Sequence, residues 1–486
     1  MKILVAASEM APYVKTGGLG DVVGALPKAL ARRGHEVWVF VPGYRAVDFG
    51  VRRLQRWVSS KPIAVGDRSY PWRMVGFSDN RDKLSAQFVL NDHYFGRDNL
   101  YVDTANGHDY PDNDERFLFF AHAVLQAAMD QGLAPDILHV HDWQAGLLPV
   151  LVREVPAYAS HFKTTKTVLT IHNLAHQGTF EGDRFDLLNM PQRLFMAEQA
   201  FEFYGKVNFL KAAIVYADKI TTVSPEYARE IQTAQFGCGL EGVLQQRRDD
   251  ITGILNGVDY TVWSPSRDKF IPYRYHSANL GGKKKTRVEL AHLAGLPIRD
   301  KVPLIGMVSR LAYQKGFDLI EAAAERLMSR NLQMVILGTG EEKYHQMLLG
   351  LQERYPDKLK CLLRLDDKMA HVIEAGADVF LMPSLFEPCG LNQIYSLKYG
   401  TVPVVHRVGG LADTITEFDP ESGQGTGFVF DTPTVDAMLA AVDRAMTLFR
   451  KRRVWTKLMK NGMQQDFSWD RSVERYEHLF SGLLAD

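Results

Sequence analysis

Four short segments of the chain place chemically able side chains at close spacing. The first is Lys15-Thr16-Gly17-Gly18-Leu19-Gly20-Asp21. Glycines let backbone N–H groups converge on an anion, and a following helix start adds the positive end of its dipole. Lys15 would supply a point charge. The spacing is neither a Walker loop nor Gly-x-Gly-x-x-Gly, and taken alone it is equally a tight strand-to-helix turn. The second segment, Val308 to Gly316, carries Arg310 and Lys315 between an apolar strand and a helix. Two fixed cations there suit a diphosphate, whose charge must be neutralised as it leaves; in isolation they also read as a solvated loop pair. The third segment is Pro383-Ser384-Leu385-Phe386-Glu387-Pro388-Cys389-Gly390-Leu391-Asn392. Glu387 sits in a Pro-bracketed turn and could hold sugar hydroxyls, while Gly390, Leu391 and Asn392 offer helix-start amides to a phosphate. An acid favoured by the helix dipole is the simpler role for Glu387. Cys389 has no identifiable partner base and reads as a small apolar wall residue. The fourth pairs His141-Asp142-Trp143 with His172-Asn173, each at a strand end. These side chains suit a polyol's hydroxyls, although polar strand ends would look the same. Metal binding is disfavoured. His172 and His176 share a face only in a helix, the segment follows a strand directly, and no zincin Glu or cysteine partner accompanies it.

The elements that must position these residues recur as an apolar run, a polar or Gly-containing turn, and an amphipathic stretch. Residues 3–7 read as a strand, followed by Val22, Val23, Leu26 and Leu30 at helical spacing, with Pro27 expected to break or restart that helix. Strands are predicted at 137–140, 168–171 and 219–223, the last leading to Ser224-Pro225 as an N-cap with Pro at the first helical position. The second half repeats the theme with strands at 303–308, 333–337, 378–382 and 402–405, and helices from about Phe317 and Gly390. Alternation of this kind implies an α/β protein with parallel sheets covered on both faces. Residues 51–87 are less regular and read as an antiparallel excursion. Residues 265–282 read as a linker, and Lys283-Lys284-Lys285 as a solvated helix start. Gly338-Thr339-Gly340 and Val408-Gly409-Gly410-Leu411 read as turns; the first lacks the third glycine of a dinucleotide fingerprint, so NAD is not expected. The simplest arrangement is two doubly wound domains facing across a cleft, with ligands at the carboxyl ends of strands.

Composition bounds what the chain can be. Its 486 residues exceed one core, 46% are apolar and 23% charged, and 57 basic residues balance 57 acidic ones. Zero net charge gives no footprint for nucleic acid. Cys238, Cys361 and Cys389 are too scattered for a disulfide framework or zinc cluster. With neither a leader-like start nor a membrane-length apolar run, the expectation is a soluble cytoplasmic protein.

Taken together in order, Lys15 to Asp21, His141-Asp142-Trp143, Ile171-His172-Asn173-Leu174, Leu255-Asn256-Gly257-Val258-Asp259, Ser309-Arg310 with Gln314-Lys315-Gly316, and Glu387-Pro388-Cys389-Gly390-Leu391 resemble bacterial glycogen synthase and the plant starch synthases. The resemblance implies the glycosyltransferase B fold, two Rossmann-like domains around a deep cleft. The domains would be 1–255 on the acceptor side and 256–461 on the donor side, with 462–486 crossing back as a C-terminal helix. It implies metal-free transfer of glucose from ADP-glucose to the non-reducing 4-hydroxyl of an α-1,4-glucan, with retention, and no cofactor. It also implies roles. Lys15 with the Gly17 and Gly18 amides would meet the diphosphate from one domain, Arg310 and Lys315 from the other, and Gly390, Leu391 and Asn392 would hold the distal phosphate. His172 would bond the glucose 6-hydroxyl and Glu387 other glucose hydroxyls. Asp21, Asp142, Asn173 and Asn256 would line the donor, sugar or acceptor sides, with Cys389 as a wall and Tyr101 as an acceptor-stacking aromatic.

Three positions depart from related patterns. Tyr395 stands where other retaining transferases carry a second Glu, which matches the glycogen synthase branch and disfavours a sucrose-type transferase. Leu365 stands near the usual adenine-stacking aromatic, and Leu385 where Arg often follows Pro-Ser. ADP-glucose remains the expected donor, with UDP-glucose or a non-catalytic glucan- or nucleotide-binding protein as alternatives; no distinct lysine motif identifies a phosphorylase.

Overall fold

A computed structural model describes residues 1–49, 54–58, 61–79, 83–105 and 107–485. In the first half the apolar runs become β1 (Lys2–Ala6), β2 (Glu36–Pro42), β3 (Gln55–Val58), β4 (Arg73–Asp79), β5 (Leu84–Leu90), β6 (Ile137–His141), β7 (Lys166–Ile171), β8 (Lys219–Thr222) and β9 (Ile251–Gly253). They form one nine-stranded sheet in the order β9-β8-β7-β6-β1-β2-β5-β4-β3. Only β4 runs antiparallel to its neighbours, pairing so with β5 and β3. The antiparallel excursion expected over 51–87 is this sheet edge, and residues 51–53, 59–60 and 80–82 of it lie outside the described residues.

The second half forms β10 (Leu304–Val308), β11 (Gln333–Leu337), β12 (Leu359–Leu362), β13 (Val379–Met382), β14 (Val402–His406) and β15 (Phe428–Phe430). These make an all-parallel sheet in the order β12-β11-β10-β13-β14-β15. Side chains alternate between two buried clusters: Ile305, Met307, Met334 and Ile336 enter one, Leu304, Val335 and Leu337 the other. Burial on both faces is why these strands read as continuous apolar runs rather than alternating ones.

The helices that matter for the site are α1 (Gly18–Arg32), α2 (Pro225–Glu230), α3 (Gly281–Ala294), α4 (Phe317–Ser329), α5 (Asp367–Gly376), α6 (Asn392–Tyr399), α7 (Gly409–Thr414) and α8 (Trp469–Ala485). Ser224 caps α2 as expected, its Oγ accepting from Tyr227 N–H at 3.0 Å. No helix among the described residues is long and apolar enough to cross a membrane. The chain divides into two compact units. One is Met1–Val223, Ala228–Gly257 and Trp469–Asp486; the other is Ser224–Tyr227 and Val258–Ser468.

Three local expectations need correction. Pro27 lies inside α1 and does not end it. A mid-helix proline costs about 3 kcal/mol, but Val22, Val23, Leu26 and Leu30 are all buried on this helix, and about 1.5–3 kcal/mol for each buried side chain outweighs it. Residues 265–282 are not a loose linker. Tyr275 donates its hydroxyl to the carbonyls of Ala375 and Tyr399 at 3.1 and 2.8 Å, and buried Asp268 pairs with His371 Nδ1 at 2.7 Å. Lys283 is not solvated. Its buried Nζ donates to Ala375 O at 3.0 Å and Thr401 Oγ1 at 2.6 Å, and desolvation lowers its pKa to about 7.

In each sheet the chain order reverses beside the first strand. β1 lies between β2 and β6, and β10 between β11 and β13. Loops leaving the carboxyl ends of these strands diverge to opposite sides and leave a crevice for a ligand. The segments after β1, β6, β10 and β13 are those that carry Lys15, Asp142, Arg310 with Lys315, and Glu387.

Candidate active site

In the first unit the loop from β1 to α1 is organised by Glu9, a residue whose role the sequence reading missed. It is buried, and Oε2 accepts from Thr16 N–H at 2.6 Å and Gly17 N–H at 3.3 Å. Oε1 accepts from the Thr16 hydroxyl at 2.6 Å and the Tyr101 hydroxyl at 2.7 Å. A buried carboxylate must be satisfied in this way. The Gly17 amide, expected to face an anion, therefore already serves Glu9. Tyr101, expected as a stacking platform, has its hydroxyl between Glu9 and Ser8 Oγ, the latter at 2.7 Å. The available signal for Glu9 was an acid two residues past the first apolar run and just ahead of the glycine-rich turn.

Gly17 and Gly18 are exposed, and a Cβ built on either would meet nothing within 4 Å. Protein packing does not require glycine there. Gly20 differs, since its Cβ would lie 2.5 Å from Lys15 Cβ. Lys15 is exposed and held by Asp21, Nζ to Oδ1 at 3.0 Å.

After β6, Asp142 adopts φ 54 and turns its carboxylate toward the next strand's end. Its Oδ1 accepts from His172 N–H at 2.7 Å. Burial raises the Asp142 pKa to about 7 against the backbone N–H groups of His172 and Asn173, and nearby Glu9 adds to the rise. His172 also lies against His141, Nε2 to Nδ1 at 2.9 Å. Burial lowers the pKa of His172 to about 3 and that of His141 well below its ordinary value, so both rings are neutral near pH 7. The segment is a turn in which His176 N–H donates to Asn173 O at 3.1 Å, and Asn173 Oδ1 accepts from Ala175 N–H at 3.1 Å. Asn256 is buried further along the same unit, and its Oδ1 has no hydrogen-bond partner among the described residues.

In the second unit the loops after β10 and β13 are zipped together. Leu385 N–H donates to Gln314 O at 2.8 Å, and Gln314 Nε2 donates to Phe386 O at 3.1 Å. Gly316 takes φ 77 and lies so close to Pro383 O that a Cβ would sit 2.1 Å away. This zipper brings Lys315 Nζ to 2.6 Å from Glu387 Oε2, which also accepts from Ser384 Oγ at 3.0 Å. Glu387 is buried, whereas Arg310 is exposed, with Nη2 3.5 Å from Gln314 Oε1.

The helix expected from about Gly390 begins at Asn392, because Gly390 takes φ 69. Leu391 occupies its N-cap without a side-chain cap, so the first-turn amides have no oxygen from that residue. Asn392 Nδ2 donates to Val308 O at 2.6 Å, tying α6 to β10. Cys389 is buried behind α7, where a Cβ on Gly410 would meet the Cys389 carbonyl at 1.9 Å. Leu365 is 84% exposed and Leu385 half-buried.

The second unit thus gathers Arg310, Lys315, Glu387 and an uncapped helix start at its sheet reversal. The first gathers Lys15, Gly17, Gly18, Asp142 and His172 near its own. One set suits phosphate and hydroxyl groups together, and the other an anion and a polyol.

Comparison with known proteins identifies relatives over nearly the whole chain. Residues 2–246 match the family described as starch synthase catalytic domain, and residues 291–461 that described as glycosyl transferases group 1. A glycogen synthase of Anaeromyxobacter sp. (strain Fw109-5) is 48% identical over 488 residues, covering 100% of each chain. One from Koribacter versatilis is 46% identical over 482 residues, covering 99% of this chain and 98% of that one. The catalytic domain of starch synthase IV from Arabidopsis thaliana, bound to ADP and acarbose, is similar with a TM-score of 0.90 and 31% identity, covering 100% of this chain and 99% of that one. Sucrose-phosphate synthase from Thermosynechococcus elongatus shares the fold alone, with a TM-score of 0.61, 17% identity and the same coverage.

Proposed function

The chain belongs to the glycogen and starch synthase family of glycosyltransferases, with the glycosyltransferase B fold, and from that premise we propose that it transfers glucose from ADP-glucose to the non-reducing 4-hydroxyl of an α-1,4-glucan with retention of configuration. The observation that carries the donor half is the Lys315–Glu387 pair, 2.6 Å apart at the reversal of the second sheet. It offers a cation to the departing diphosphate and a carboxylate to glucose hydroxyls from one rigid pair of loops. Arg310 adds a second cation, and Gly390, Leu391 and Asn392 present helix-start amides to the distal phosphate. In the first unit Lys15 offers a cation of its own to an anion, and the open space over Gly17 and Gly18 lets that anion approach the backbone. That the related starch synthase IV holds ADP supports the adenine donor.

The reaction is a front-face displacement. The C1–O bond to the diphosphate breaks, charge grows on the leaving oxygen and on the anomeric carbon, and the departing phosphate takes the acceptor hydroxyl's proton as the new C1–O4 bond forms. No carboxylate nucleophile is needed, so the separation rules for glycosidase carboxylates do not apply. Rate comes from charge stabilisation and orientation. His172 contacts the glucose 6-hydroxyl. As a neutral ring it adds no positive charge near the anomeric carbon. Asp142, Asn173 and Asn256 line the sugar side, where the orphaned Oδ1 of Asn256 is an acceptor awaiting a hydroxyl.

The test is incorporation of glucose into glycogen from ADP-glucose and, in parallel, UDP-glucose. Transfer from ADP-glucose is expected, and the product linkage should be α. Preference for UDP-glucose would overturn the base assignment while keeping the phosphate site; exposed Leu365, in place of an aromatic, is the feature that would favour that outcome. Glucan binding without transfer from either donor would favour the non-catalytic reading.

A further inference from the structure

His172 is held twice by the residues that end β6: its backbone N–H by Asp142 and its ring by His141. We propose that His141 is a positioning residue that sets the tautomer of His172, so that the nitrogen left for the donor sugar, Nδ1, carries the proton. The proposal rests on the reading that His172 contacts the donor glucose, and it adds what that contact must be.

The pair has two neutral arrangements. In one, His141 Nδ1–H donates to His172 Nε2, which puts the remaining His172 proton on Nδ1. In the other, His172 Nε2–H donates to His141 Nδ1, which puts the remaining His141 proton on Nε2. The deciding atom is His141 Nε2, which is buried and has no hydrogen-bond partner among the described residues. The first arrangement leaves it a bare acceptor and the second makes it an orphaned N–H donor. Orphaned buried donors are the rarer case, so the first is favoured. A shared extra proton is opposed by the surroundings. His139 lies with its ring centroid 4.3 Å from that of His141, and its Nε2 is taken by Thr170 Oγ1 at 2.6 Å, which leads on to Thr221 Oγ1 at 2.6 Å. None of these groups is an anion that would hold an imidazolium.

The consequence is chemical. A protonated Nδ1 donates to a sugar oxygen and presents no lone pair. It therefore binds the 6-hydroxyl oxygen without offering a nucleophile to an oxocarbenium-like carbon nearby. The opposite tautomer would present a bare nitrogen at the same place.

The experiment combines nitrogen-15 NMR of the histidine rings in the intact protein with kinetics of His141→Asn and His141→Leu. An asparagine amide overlays imidazole Nδ1 and can still donate to His172 Nε2, whereas leucine fills similar space without a donor. Wild type and His141→Asn should show a protonated Nδ1 and a bare Nε2 on His172, and His141→Leu a mixture of tautomers. A protonated Nε2 in the wild type, or an unchanged tautomer in His141→Leu, would overturn the proposal. His141→Leu should turn over ADP-glucose about tenfold or more slowly, and His141→Asn within about threefold of wild type. With the 6-deoxy donor, the gap between wild type and His141→Leu should close, and a gap that persists would count as mere structural damage and against the proposal. If wild type is indifferent to loss of the 6-hydroxyl, the His172 contact itself is wrong, and the ring shifts alone decide the role of His141.

Discussion

Lys315 Nζ lies 2.6 Å from Glu387 Oε2 although 72 residues separate them, and the pair is set by two loops that leave adjacent parallel strands. Ser384 supports the same oxygen at 3.0 Å. If the pair acts as one device, its members should not contribute independently. Glu387→Gln and Lys315→Ala should each lower kcat by roughly 10²–10³, and the double variant by little more than the worse single. Steady-state kinetics on the three variants, with thermal melts to confirm folding, check this; multiplicative losses would sink it.

Arg310 and Lys15 are exposed, so their removal should cost little stability, within about 0.5 kcal/mol, while activity falls by roughly 10²–10³. Near-wild-type turnover in Arg310→Ala and Lys15→Ala with intact folds would remove the diphosphate assignment. Donor KM and kcat should be measured separately for each.

The glycines of the first loop should divide by purpose. Gly18→Ala meets open space at a helix start and should leave the melting temperature unchanged or raised, yet raise the donor KM. Gly20→Ala meets Lys15 Cβ at 2.5 Å and should lower the melting temperature. Equal effects on stability from the two substitutions would contradict the view that Gly18 serves a ligand rather than packing.

Asp142 predicts a pH-dependent stability of stated sign. Its folded pKa is raised from 3.8 to about 7, mainly by burial. Between those values the folded carboxyl keeps its proton while the unfolded one loses it, so the unfolded state binds fewer protons and stability falls as pH rises. Asp142→Asn retains an acceptor for His172 N–H but cannot ionise. Its stability relative to wild type should therefore increase from about pH 4 to about pH 7 and level off above. A constant difference across that range in chemical denaturation would refute the shift.

Leu365, 84% exposed, stands close in sequence to the place where the family resemblance implies a base-stacking aromatic. Leu365→Tyr should lower the KM for ADP-glucose severalfold, in line with about 0.5–1.5 kcal/mol for an aromatic contact. No change would place the base elsewhere.

Much of the fold was legible because parallel strands buried on both faces are unbroken apolar runs. The strand predicted at 333–337 is β11 as found, and Ser224-Pro225 begins a helix as its chemistry dictates. What misled was local chemistry overruled by packing. Pro27 continues α1 because that helix is buried around it, and Lys283 is buried because two distant acceptors, Ala375 O and Thr401 Oγ1, satisfy it. Neither acceptor is visible from a Lys-Lys-Lys run.

The sequence by itself determined the alternation of strands and helices, the identity of the cations, carboxylates and glycines at strand ends, and through their order the family. Those follow from residue type and short-range spacing. Only the tertiary structure decided which of these groups are engaged with one another. Glu9 takes the Gly17 amide and the Tyr101 hydroxyl, Lys315 meets Glu387, and His141 meets His172. The reason is physical: hydrogen bonds form between groups that strand order brings within about 3 Å, and strand order places residues 31 and 72 apart in sequence side by side.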